Sequence, residues 1–108
     1  MIEQTVRLIY SLLLNKAYAD LASFTGGVRL SARDIEECIT EYGCELVAYP
    51  ENIQLDVVDI SDSSPKEWSV VAPIYTTEEG ISDLSIELSL TESGEAILKS
   101  ELDNIRVR

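Results

Sequence analysis

Seven carboxylates, Asp34, Glu37, Glu41, Glu45, Glu78, Glu79 and Asp83, recur at spacings short enough to act together, and the chain has no histidine to work beside them. Grouped carboxylates can hold a cation, share a proton for acid/base work, or complement a positively charged surface. Histidine is the commonest general base near neutral pH and the commonest metal ligand, so its absence removes a required part from most catalytic templates. Glu78, Glu79 and Asp83 around Gly80 lack the ligand ladder of a calcium loop and read as a structural turn. Asp59, Ser61 and Asp62 before Pro65 read as turn residues that bond their own backbone. Gly26-Gly27 beside Arg29 lies in neither a GxGxxG nor a GxxxxGK pattern and reads as a loop, not an anion cradle. No catalytic residue, cofactor or metal ligand is therefore expected. Trp68 with Tyr10, Tyr42 and Tyr75 reads as core before it reads as a pocket lining.

The charge is unevenly placed. Residues 34 to 103 carry 18 of the 20 acidic side chains and only two basic ones, Lys66 and Lys99, while the flanks are mildly positive and the whole chain stands at −12. Such a surface repels phosphate, and no basic stripe with interleaved aromatics offsets it, so nucleic-acid binding is disfavoured. The same acidity predicts a basic protein partner. The sharpest form of that expectation is a non-enzymatic immunity or inhibitor protein whose carboxylates cover the cationic surface of a nuclease-type toxin. Two alternatives stay open: a small-molecule-binding or catalytic domain with a pocket between helices and sheet, and a structural or adaptor module whose acidity serves solubility.

At 108 residues with 45% hydrophobic content, the chain is expected to form one globular domain over residues 1–108 with a core that needs no disulfide or metal. Cys38 and Cys44 form neither a CxxC nor a paired framework and read as small buried hydrophobes in a reducing cytoplasm. Leu8 to Leu14 followed by Ala17-Tyr18-Ala19 imitates a leader peptide, but Glu3 accompanies Arg7 ahead of it, so the positive start of a leader is missing. The run is also far shorter than the ~20 apolar residues of a membrane span.

Ile2, Val6, Ile9, Leu13 and Ala17 recur at helical spacing and predict an amphipathic helix over residues 2 to 20. A second helix is predicted from Ala32 to Tyr42, with Ser31 as N-cap, Asp34 at its third position and Gly43 just past its end. Its buried stripe is Ile35, Cys38, Ile39 and Tyr42; Asp34, Glu37 and Glu41 line the other side with no lysine placed to offset them.

Beyond Gly43 the period becomes alternating. Strands are expected at Glu45 to Tyr49, Ile53 to Ile60, Glu67 to Tyr75, Ile81 to Leu90 and Ala96 to Val107, and the short turn-rich gaps between the last four predict an antiparallel meander. Leu84, Ile86, Leu88 and Leu90 share one face. In the last hairpin, pairing Leu90 with Ala96 sets Leu88 against Leu98, Leu84 against Leu102, and Glu87 against Lys99. The switch of apolar parity from Leu98 and Leu102 to Ile105 and Val107 predicts a bulge near Asp103-Asn104. Pro73 marks a second bulge or the end of its strand. The fold class is thus α+β, two N-terminal helices on a curved four-stranded antiparallel sheet.

The run Glu67-Trp68-Ser69-Val70, then Glu78-Glu79-Gly80, Ser82-Asp83-Leu84 and Asp103-Asn104-Ile105-Arg106-Val107, resembles a family of short bacterial proteins known as a domain of unknown function. The family usually has tryptophan where this chain has Tyr75 and a basic residue where it has Ile81. More distantly, helices followed by a curved antiparallel sheet look like the cystatin-like or nuclear transport factor 2-like cone. That second resemblance implies a possible homodimer through the sheet and a pocket between helices and sheet, and it carries no chemistry of its own.

Overall fold

The computed structural model describes residues 2–26, 30–43, 45–60, 65–94 and 97–107. Cys44, the Gly27 to Arg29 part of the first loop, Ser61 and Asp62 of the turn before Pro65, and Ala96 of the predicted hairpin lie outside the described residues.

Three helices, α1 (Ile2–Leu14), α2 (Tyr18–Phe24) and α3 (Ala32–Tyr42), precede four strands, β1 (Asp56–Ile60), β2 (Glu67–Thr76), β3 (Gly80–Thr91) and β4 (Lys99–Val107). The single helix expected over residues 2 to 20 is in fact two. Lys16 takes a left-handed φ of 59°, its amide bonds Leu13 O and the Ala17 amide bonds Leu12 O. These are the two bonds of a Schellman stop. A lysine rather than a glycine occupies the left-handed position, so the stop carried no residue signature.

α3 follows its signals closely. Ser31 Oγ accepts the Asp34 amide, the Asp34 carboxylate accepts the Ser31 amide, and Gly43 closes the helix with a φ of 80°.

The strands form an open antiparallel sheet in the order β1-β2-β3-β4. Val70, Ala72 and Ile74 of β2 and Leu84, Ile86, Leu88 and Leu90 of β3 are buried in one cluster with Val6, Ile9 and Leu13 of α1, Leu21 of α2, and Ile35 and Ile39 of α3. The helices therefore cover one face, the face that alternation assigned to the even-numbered residues. Thr5 adds a polar tie inside this layer, its hydroxyl accepting the Leu98 amide at 3.1 Å.

Both expected irregularities are present. The β3–β4 register shifts between Glu87 and Leu88, where Glu87 pairs with Asn104 and Leu88 with Leu102, so Asp103 is the extra residue. The β2–β3 register shifts between Pro73 and Tyr75, and the Ser82 hydroxyl bridges the gap, donating to Ile74 O at 2.7 Å and accepting the Leu84 amide at 3.1 Å.

The hairpin register differs from expectation. Leu88 pairs with Leu102 and Leu90 with Ser100, a slide of four residues from the Leu88–Leu98 pairing. An even slide keeps every side chain on its face, so alternation is satisfied by both registers and could not choose between them. Consequently Glu87 stands opposite Asn104 and forms an ion pair with the diagonal Arg106, 2.7 Å away, while Lys99 stands opposite Thr91. The short strand expected at Glu45 to Tyr49 is reduced to a bridge between Leu46 and Thr76, and the strand expected from Ile53 begins at Asp56.

Candidate functional site

The predicted acidic residues separate into two groups. At the start of α3, Asp34 is occupied by the capping box, and Glu37 is ion-paired with Arg33 at 3.0 Å. The expectation that no cation lies beside this line is corrected: the partner is an arginine four residues upstream, on the same helix face. Arg33 and Glu37 are both well exposed, so the pair contributes little.

The second group is assembled from three separate segments. Tyr42, in the last turn of α3, donates a 2.6 Å hydrogen bond to Glu79 Oε1 in the β2–β3 turn, and Glu78 Oε1 accepts the Glu45 amide at 3.2 Å. The backbone supports this arrangement: the Thr77 amide bonds Glu45 O, the Val47 amide bonds Tyr75 O, and the Thr76 hydroxyl accepts the Glu79 amide. Gly80, with a φ of 69°, supplies the left-handed residue that the turn requires. Glu41, Glu45, Glu78 and Glu79, with Asp83 at the start of β3, are all exposed at this end of the fold. They stand at the C-terminal end of α3, where the helix dipole disfavours negative charge. The hydrogen bond to Glu79 is the largest influence on the Tyr42 phenol and raises its pKa.

Cys38 is a free, half-buried thiol. Burial, then the carboxylates of Glu41, Asp34 and Glu37, push its pKa up, which keeps it protonated at neutral pH and makes it a poor nucleophile. Among the described residues no group of three or more carboxylates and cysteines is arranged to hold a metal ion.

The tyrosines do something the sequence did not show. Beyond the reach of β1, the edge of β2 is closed by two phenols. Tyr49 donates to Pro73 O at 2.6 Å, while the Tyr10 hydroxyl accepts the Tyr75 amide at 3.2 Å and donates to Val47 O at 2.5 Å. The Tyr10 and Tyr49 rings stack with centroids 3.6 Å apart, and Tyr49 meets Tyr75 edge-on. Burial pushes the Tyr49 phenol well above its ordinary range. The available signal was Pro73, whose missing amide makes that stretch of edge unsuitable for a continuous strand partner.

The segment that carries Tyr49 then crosses to the sheet face away from the helices. Asn52, Ile53 and Gln54 there share a pocket of about 480 Å³ with Asp56, Val71, Pro73 and Ser85. Register puts Val71, Pro73 and Ser85 on that face, with Asp56 opposite Val71 and Pro73 opposite Ser85, while Ser82 and Leu84 border the pocket at the irregularity in the sheet. Ser85 is 3% exposed, and its hydroxyl has no hydrogen-bond partner, a state that costs about 1–3 kcal/mol. A second hollow, of about 520 Å³, lies between the end of α1, α3 and the segment after Gly43, bordered by Lys16, Tyr18, Glu36 and Glu45.

Three helices on one face of an open antiparallel meander, with an acidic end and an aromatic-sealed edge, define a small α+β domain. By sequence the chain belongs to the family described as Domain of unknown function (DUF7668), which it matches over residues 10–108. No curated protein and no solved structure matches it. Among the described residues no helix is long and apolar enough to cross a membrane.

Proposed function

We propose that this chain is a non-enzymatic binding protein whose acidic end takes a cationic protein partner, most sharply an immunity or inhibitor protein that neutralises a basic, nuclease-type toxin. The supporting observation is the convergence of Glu41, Glu45, Glu78 and Glu79 from α3, the following segment and the β2–β3 turn onto one exposed end. No described ion pair engages Glu41, Glu45 or Glu78. Like charges held together at a helix C-terminus work against folding, and a cationic partner relieves that repulsion. At a net charge of −12, long-range attraction also steers a basic partner toward the surface, with association rates that reach ~10⁸–10⁹ M⁻¹s⁻¹ at low salt.

The test is capture of a partner from the source organism, followed by association kinetics with the purified partner at low and high salt. The wild-type chain is expected to retain a basic protein with an association rate that falls steeply as salt is added. Glu41→Lys with Glu78→Lys is expected to slow association at least tenfold while the fold is kept. A partner that is not basic, or one bound equally well by the double variant, overturns the reading.

A further inference from the structure

We propose that the pocket on the helix-free face of the sheet is a binding site for a small arylalkyl molecule whose head is a cationic amine or a neutral hydroxyl. The site borders the acidic end through Ile81 and Ser82, next to Asp83, but does not rest on the function proposed above.

Three observations carry this. The pocket, about 480 Å³, falls within the size range of small-molecule sites. Its walls mix apolar and polar groups: Ile53, Val71, Pro73 and Tyr75 line it beside Asn52 and Gln54, and the Tyr75 ring is an aromatic group for a ring or a cation to meet. Its floor holds the Ser85 hydroxyl, nearly fully buried and without a hydrogen-bond partner. A buried hydroxyl in a chain this size normally has a partner, and here the open side of Ser85 is the pocket.

The sign of the ligand follows from the charged groups. Asp56 is the charged residue of the lining. The cation in the row of Pro73 and Ser85 is Arg106, opposite Ser85 on β4, and it is held 2.7 Å from Glu87. The chain as a whole, at −12, disfavours phosphates and carboxylates and favours an ammonium group. The geometry is also built rather than incidental. At the irregularity near Pro73 and Tyr75 the Ser82 hydroxyl is spent on the backbone, whereas that of Ser85 is not. The Tyr49–Pro73 bond anchors the strand-free segment that forms the outer wall.

Amines collect on any acidic protein, so the discriminating variant is an uncharged one. Titrations of the full chain with 2-phenylethylamine, 3-phenylpropan-1-ol and 3-phenylpropanoate, followed by amide NMR shifts, test the proposal. The amine and the alcohol are expected to move the amides of Val71, Ile74, Tyr75 and Ser85 in a saturable way that survives high salt, and the carboxylate is expected to bind at least tenfold more weakly. Ser85→Val, which removes the hydroxyl and adds apolar bulk at the pocket floor, is expected to weaken both by at least tenfold with the rest of the spectrum unchanged. Should that variant perturb the fold, Ser85→Ala is expected to weaken them at least threefold. Shifts scattered over the acidic surface, shifts abolished by salt, equal binding of the carboxylate, or binding untouched by either Ser85 variant overturns the proposal.

Discussion

The Tyr42 hydroxyl sits 2.6 Å from Glu79 Oε1, joining the last turn of α3 to a turn 37 residues away in sequence, and both side chains reach solvent. Because the neutral phenol is the hydrogen-bond donor, the folded-state pKa of Tyr42 lies above its usual 10.0. Its contribution to stability is therefore complete below pH ~10 and is lost as pH rises through the folded value, where phenolate and carboxylate repel. Tyr42→Phe is expected to lower the unfolding midpoint at neutral pH, and the gap from wild type is expected to close or reverse above pH 10. A gap that is constant with pH shows the bond to be energetically silent.

Tyr49→Phe tests the sealed edge of β2. The substitution keeps the stacked ring and leaves Pro73 O without its donor, so a loss of about 1–3 kcal/mol is expected in denaturant unfolding. Tyr18→Phe is the comparison, since no described hydrogen bond engages that hydroxyl. Equal losses at the two positions mean that Tyr49 acts through packing alone.

The hairpin register is open to a double-mutant cycle. Glu87 is expected to couple to Arg106 by at most ~1 kcal/mol, and Lys99→Ala is expected to change stability by no more than ~0.5 kcal/mol. Leu88→Ala, in the core, is expected to cost ~2–5 kcal/mol. Coupling of Glu87 to Lys99 instead of Arg106 means that the last strand is paired four residues away from the register described above.

Local chemistry was legible in the sequence where a residue type has few alternatives. Ser31, Asp34 and Gly43 mark both ends of α3 because capping and left-handed closure favour those side chains. Pro73 and the parity switch after Leu102 place two bulges because a missing amide and a reversed face each have a mechanical cause. Legibility failed where different structures satisfy the same pattern. The break at Lys16 interrupts no apolar period, and a four-residue slide of β4 preserves each side chain's face. Of the candidate acidic residues, spacing along α3 showed Asp34, Glu37 and Glu41 as one line, whereas the fold spends the first two on a cap and on Arg33. Contacts such as Tyr42 with Glu79 and Tyr49 with Pro73 are products of chain crossing and have no local signature.

The phenols at the edge of β2 also bear on edge-to-edge association between copies of the chain. A bare strand edge is a template on which further copies can aggregate. From Pro73 onward that template is withdrawn by Tyr10, Tyr49 and the Val47 amide. Outside this stretch, β1 presents five exposed residues, Asp56 and Asp59 among them. At the far side of the sheet, β4 is bent by its extra residue and bears Lys99, Glu101 and Arg106. A fibril growing in register on either edge would stack each charge on its own copy in the next molecule, a like-charge ladder that grows more costly with every layer.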